Sequence, residues 1–152
     1  MNQAKAGRII GLDYGLARIG VAMSDERKIV ATTVMTFSAE KRAEATASKL
    51  AQTLTTHAAD NRYAIEEIVI GMPLMMNGKR GMQADEVSNF ITLLKKHFSI
   101  PITAWDERLS TVQADRSLRE GNFTRKRRST MVDTVAATII LQSYLDHKNL
   151  SQ

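Results

Sequence analysis

The stretch Arg8-Ile-Ile-Gly-Leu-Asp13-Tyr-Gly15-Leu-Ala-Arg18-Ile-Gly-Val-Ala22 constrains the fold more than any other part of the chain. Two apolar runs flank Asp13 and Gly15, and they read as two strands folded back on each other. A strand that ends in a carboxylate and a glycine turns sharply beside a charge, at a sheet edge open to a ligand. Asp and Gly also suit an ordinary hairpin turn. The rest of the chain decides between the two.

The following segments read in order. Met1 to Gly7 has no apolar core, so the expectation is a flexible tail on one domain spanning 1–152. Arg8–Leu12, Arg18–Ser24 and Ile29–Phe37 are expected as three strands in a meander. Ser38 is expected to cap a helix from about Ala39 to Ala58, because Ala43, Ala47, Leu50, Leu54 and Ala58 recur at helical spacing. Glu67–Gly71 reads as a buried strand, and Met75–Gly81 as a loop with two glycines and two cations. A second helix carries Ala84, Val87, Ile91 and Leu94 and stops before Ile100-Pro101. Ile102–Trp105 is a short strand that runs into Asp106-Glu107. Ser110 with Gln113 fits a capping box for a third helix ending near Gly121. The basic block Arg125–Arg128 is expected in a loop, and the last helix from about Ser129 to Leu145. The alternation of helix and strand in the later half implies parallel strands beside the meander, an α/β sheet.

Composition narrows the chemistry. The chain has no cysteine, which excludes disulfides, thiolate metal sites and a cysteine nucleophile. His57, His97 and His147 are scattered near helix ends and read as surface residues. Without an apolar leader or a membrane-length apolar run, a cytoplasmic protein is expected. The net charge of +5 points weakly to a polyanion. The clustered cations say more: Arg125, Lys126, Arg127 and Arg128 together, with Lys79 and Arg80 elsewhere, become phosphate contacts if they lie beside a reactive site.

Three acids fall at suggestive places. Asp13 ends the first strand, Glu107 (with Asp106 beside it) ends the last, and Asp133 lies at the margin of the final helix's apolar stripe. If the two strands run parallel, both carboxylates emerge at one sheet edge, where open α/β sheets bind ligands. Asp133 alone suits the positive end of a helix dipole. Taken with the other two it suits a shared cation site. Oxygen ligands without His or Cys match Mg²⁺ or Mn²⁺, and two such ions about 3.5–4 Å apart drive in-line attack on phosphodiesters without a nucleophilic side chain.

These residues resemble a known family. Asp13-Tyr-Gly15 with Arg18-Ile-Gly-Val-Ala22, Gly71-Met-Pro-Leu74 leading to Gly78, Asp106-Glu-Arg-Leu-Ser-Thr111, and Val132-Asp133 opening a helix with Ile139-Ile-Leu-Gln142 and Tyr144 occur in order along nearly the whole chain. In this pattern the chain is similar to the YqgF family, also called RuvX, small bacterial proteins with an RNase H-like fold. The resemblance implies a five-stranded mixed sheet in the order 3-2-1-4-5 with helices on both faces. It implies a metal-dependent nuclease with Asp13, Glu107 and Asp133 as the catalytic, metal-binding triad, and Asp106 in reserve. Arg18, Arg108 and the basic block would face nucleic-acid phosphates. The implied substrate is the 5′ end of the small-subunit ribosomal RNA precursor, within ribosomal precursor particles, or a DNA Holliday junction. Junction cutting requires paired active sites, and the sequence leaves oligomeric state open. RNA is favoured. The loop departs from the family's Asn-x-Asp pattern, with Met75 and Asn77 in those places. Two rivals remain: a nucleotide-binding domain like those of the sugar kinases, and an RNA-binding module of the same fold without chemistry.

Overall fold

The computed structural model describes residues 5–73, 81–106 and 125–150, and of residues 125–134 the backbone alone. The elements are β1 (Gly7–Tyr14), β2 (Arg18–Ser24), β3 (Ala31–Ser38), α1 (Ala43–Asp60), β4 (Ala64–Met72), α2 (Met82–Leu94), β5 (Ile102–Asp106) and α3 (Arg125–Leu150). The sheet order is β3-β2-β1-β4-β5, as expected. β2 is antiparallel to both β1 and β3, whereas β4 is parallel to β1 and β5 to β4. Segments 74–80 and 107–124, with the expected capping box and third helix, lie outside the described residues.

The central strands are apolar on both faces because helices cover both. On one face Ile10, Leu12, Ile19, Val21, Ile68 and Ile70 pack with Leu50 and Leu54 of α1 and Val87, Phe90 and Leu94 of α2. On the other, Ile9, Ala22 and Val69 pack with Ala137, Ile140, Leu141 and Leu145 of α3. Each fully buried Leu or Ile contributes roughly 1.5–3 kcal/mol relative to exposure. Strand alternation assigns Gly11 and Asp13 to the α3 face with Ile9.

Two local expectations are corrected. Ser38 does not cap α1: it is the last residue of β3, paired with Arg18. The helix starts after Arg42, which makes no side-chain cap bond. The entry is instead held from within the helix. The buried Thr46 hydroxyl accepts from the Glu40 N–H (2.9 Å) and donates to the Arg42 carbonyl (3.0 Å). The basic block is not a loop either, because α3 begins at Arg125. Arg and Lys are good helix formers, and no Gly or Pro separates them from Ser129. The helix therefore runs through them.

At the C-terminus of α1, Arg62 is exposed and takes φ +56°, the left-handed region. There a side chain costs about 1–2 kcal/mol and glycine does not. Arg62→Gly is expected to raise the melting temperature by about 2–4 °C, once glycine's larger unfolded-state entropy is set against the relief. Calorimetry of the single variant checks it.

The far half of α3 is fastened to β4 and β5. The Tyr144 hydroxyl donates to Glu67 Oε2 at 2.6 Å, Thr103 Oγ1 donates to the same oxygen at 2.7 Å, and Lys148 Nζ lies 3.6 Å from Oε1. Burial, then the Glu67 hydrogen bond and charge, push the Tyr144 phenol up to about 12. An unfolded phenol titrates near 10. The folded state thus keeps a proton that the unfolded state has lost, and this contribution is complete below pH 10 and lost as pH rises towards 12. Tyr144→Phe is expected to lower stability by about 1–2 kcal/mol at neutral pH. It should also flatten the alkaline decline of melting temperature between those pH values. A decline as steep as the parent's would disprove the linkage.

Candidate active site

Asp13 is the residue before the end of β1, the central strand, and is half-buried. Its surroundings follow from register. Its cross-strand partner on β2 is Gly20. On β4, one residue past the pair Leu12–Ile70, stands Gly71. Gly11, Gly20 and Gly71 share the α3 face with Asp13, and all three are buried. The carboxylate therefore has a bare backbone on both neighbouring strands, a placement of glycine that lets a ligand or another backbone approach closely. The sequence carries this floor three times, as Ile10-Gly11-Leu12, Ile19-Gly20-Val21 and Ile70-Gly71-Met72. The signal, a glycine inside an apolar strand run, was present but is legible only once the register is known.

α3 runs antiparallel to β1 across this face. Thr138 Oγ1 meets Thr33 Oγ1 at 2.9 Å, Gln142 Oε1 accepts from the Ala31 N–H at 2.8 Å, and Asn149 Nδ2 donates to the Lys28 carbonyl at 3.2 Å. The helix comes so close over Gly11 that a Cβ there would stand 2.6 Å from Leu141 Cβ and 3.2 Å from the Ala137 carbonyl oxygen. Going back along α3 thus leads towards the carboxyl edge of the sheet. Asp133 lies one turn before Ala137, in the direction in which β1 continues from Gly11 to Asp13. Arg125–Arg128 form the first turn, with Arg128 about 13 Å along the axis from Ala137. No acid stands in that turn. Four cations at the positive end of a helix dipole oppose it, a cost that a polyanion offsets.

The remaining predicted residues divide. Arg18 is exposed at the start of β2, at the same edge. Asp106 ends β5, exposed and paired in register with Met72. Alternation sets it with Ile102 on the α1/α2 face, whereas Trp105 packs on the α3 face with Tyr144. Asp106 is therefore on the side of the sheet away from Asp13. Glu107, Lys79, Arg80 and Arg108 lie outside the described residues. Among the described residues no three acidic or imidazole side chains group as metal ligands. The histidines are not uniformly superficial. His57 is half-buried, its Nδ1 2.9 Å from the Tyr63 hydroxyl, while His97 and His147 are exposed. Among the described residues no helix is long and apolar enough to cross a membrane.

This fold, with an acid at the end of its central strand and a helix crossing beside it, is the RNase H-like class. The solved structure of T. thermophilus RuvC in complex with a Holliday junction substrate matches with a TM-score of 0.55 over 93% of this chain and 94% of that one, at 13% identity. A ROK hexokinase from Thermus thermophilus matches at a TM-score of 0.51 and 17% identity, over 73% of this chain and 37% of that one. Both are likenesses of fold. Sequence then settles the family: the model for RuvX, described as Holliday junction resolvase, matches residues 7–147, and the chain belongs to this family. A relative from Protochlamydia amoebophila is 54% identical over 147 residues, covering 97% of this chain and 98% of that protein. One from Halothermothrix orenii is 41% identical over 145 residues, covering 93% and 96%. Both are named as nucleases of pre-16S rRNA.

Proposed function

We propose that this chain is a divalent-metal-dependent nuclease that hydrolyses a phosphodiester near the 5′ end of the 16S ribosomal RNA precursor. The observation that carries the reading is Asp13 at the carboxyl end of β1, on a glycine floor beneath the helix that bears Asp133. The relatives' names supply the substrate. We assign Asp13, Glu107 and Asp133 to the metal, with Mg²⁺ or Mn²⁺ as the ion. The position of Asp106 on the opposite face supports Glu107 over its neighbour.

The donor chemistry fits such an ion: carboxylate oxygens, no thiolate available, and neighbouring strands that place only glycines beside Asp13. When bound, the metal supplies Lewis-acid activation of water and of the leaving oxygen. The chain's own part is positional. Asp13 serves as a ligand and holds its place because β1 is paired on both sides. Arg18, with the cations of the first turn of α3 and with Arg108, Lys79 and Arg80, holds the phosphate backbone without reading sequence. The cellular setting that follows is the cytoplasm, with ribosomal precursor particles as the partner.

The test is cleavage of a labelled RNA spanning the 5′ leader and the start of 16S, in Mn²⁺, by the parent and by Asp13→Asn. Cutting by the parent alone supports the reading. No cutting of RNA, with cutting of a four-way DNA junction, would favour the resolvase reading that the family description and the RuvC fold also support. RNA binding without cutting of either substrate would favour a binding module.

A further inference from the structure

The β1–β2 turn carries a feature that metal chemistry does not use. Gly15, Leu16 and Ala17 precede Arg18, and the Gly15 N–H donates to the Arg18 carbonyl at 2.9 Å. A Cβ on Gly15 would stand 2.7 Å from that oxygen, so the turn is tight. The Ala39 N–H donates to the Ala17 carbonyl at 2.9 Å, which ties the tip to the segment after β3. Turn tips ordinarily carry Gly, Asn, Asp or Ser. Here the tip presents Leu16, 72% exposed.

Leu16 stands between two grooves. One, of about 120 Å³, is lined by Tyr14, Leu16, Pro73, Gln83 and Glu86 among others. The second, of about 200 Å³, is bordered by Tyr14, Leu16, Glu86, Lys41 and Asn89. Tyr14, Leu16 and Glu86 belong to both and form the ridge between them. Tyr14 is backed by Phe90, with ring centroids 4.4 Å apart and planes at 25°, so the ridge is braced from the core. The walls mix apolar and aromatic surface with the amides of Gln83 and Asn89, the carboxylates of Glu40 and Glu86, and Lys41. That chemistry suits a nucleobase: flat faces to pack on and polar edges to hydrogen-bond.

Resting on the nuclease reading, we propose that Leu16 is a wedge separating two successive unpaired bases of the RNA strand, one in each groove. Tyr14 follows Asp13 directly and lies on the other face of β1. A strand whose phosphate reaches Asp13 crosses the end of β1 and arrives at Leu16. Apolar side chains are inserted between base steps elsewhere; in a duplex this costs a few kcal/mol of unstacking per step, a cost that already splayed single-stranded bases largely avoid. The wedge makes the enzyme selective for single-stranded RNA at the cleavage point.

The experiment measures binding, without turnover, in the Asp13→Asn background. Its probes are a fluorescent single-stranded RNA and the same RNA with two adjacent abasic sites. Leu16→Ser is exposed and its fold is checked by melting. It is expected to weaken base-bearing RNA about fivefold, matching the low end of what a base gains by stacking on an aromatic ring, since an aliphatic wedge packs against bases without a π-face. It should leave the abasic RNA and the salt dependence of binding unchanged. Equal affinity of Leu16→Ser and its parent for base-bearing RNA would overturn the wedge. So would equal weakening on both RNAs, or failure of the parent to bind base-bearing RNA. Because no hydrolysis is read, loss of the wedge leaves the nuclease reading standing, and failure of cleavage leaves this comparison readable.

Discussion

Asp13→Asn is expected to leave the fold intact and to reduce hydrolysis by at least about 10²–10³-fold, the scale on which a single preorganised charged or polar group acts in catalysis. The substitution changes shape little but removes the charge that a hard cation requires. The floor of Gly20 and Gly71 beside it puts no side chain of the neighbouring strands in place to substitute. A second readout separates ligand loss from any other defect. A metal that binds only the folded state raises stability by about 2.7 kcal/mol at a hundred times its Kd. The parent should therefore show a Mn²⁺-dependent rise in melting temperature, and Asp13→Asn should lose it. A variant that keeps both the Mn²⁺ shift and the cleavage would remove Asp13 from the site. One that keeps the shift but loses cleavage would make Asp13 a group acting on substrate rather than on metal.

The parts of the fold that the sequence revealed share a physical cause. β1, β2 and β4 are short apolar runs bounded by polar or turn residues; buried on both faces they have no alternation to read, and their shortness and bounding turns mark them as strands. The later alternation of helix and strand gave the parallel pairing, and the family pattern gave the strand order. What stayed hidden depends on partners far along the chain. Ser38 has the chemistry of a cap, but pairing with Arg18 takes it into β3, and Thr46, inside the helix, takes over the entry. Four adjacent cations read as a solvated loop, yet Arg and Lys are good helix formers, and the block continues unbroken into the helix. That Asp106 lies on the face away from Asp13 is a matter of parity in a strand of five residues, which shows only once Trp105 is seen on the α3 face. Gly11, Gly20 and Gly71 are far apart in the chain and acquire a common meaning only in the register of three neighbouring strands.

Gly11→Ala carries the second large expected effect, and it tests whether α3 must sit where it does for the site to work. An alanine is favoured over glycine in a strand by roughly 0.5–1 kcal/mol on backbone entropy. Here the added Cβ would fall 2.6 Å from Leu141 Cβ, an atom at the root of a side chain on a packed helix, so the helix itself must yield. Overpacking of this kind typically costs about 1–3 kcal/mol. The melting temperature should fall by several degrees, at about 2–4 °C per kcal/mol for a chain of this size. Lifting α3 at Leu141 and Ala137 also shifts the turn that bears Asp133 away from Asp13. Activity measured well below the melting transition should therefore fall by an order of magnitude or more, on the view that angstrom-scale misplacement costs about a hundredfold. Leu141→Ala supplies the control. It opens a cavity at the same contact and destabilises by about 2–5 kcal/mol, yet forces nothing apart. If stability alone governs the rate, this control should be the more impaired of the two. If the seating of α3 governs it, Gly11→Ala should be the slower enzyme despite the smaller loss of stability. A Gly11→Ala protein as active as the parent would show that Asp133 and Asp13 need not be held at this separation.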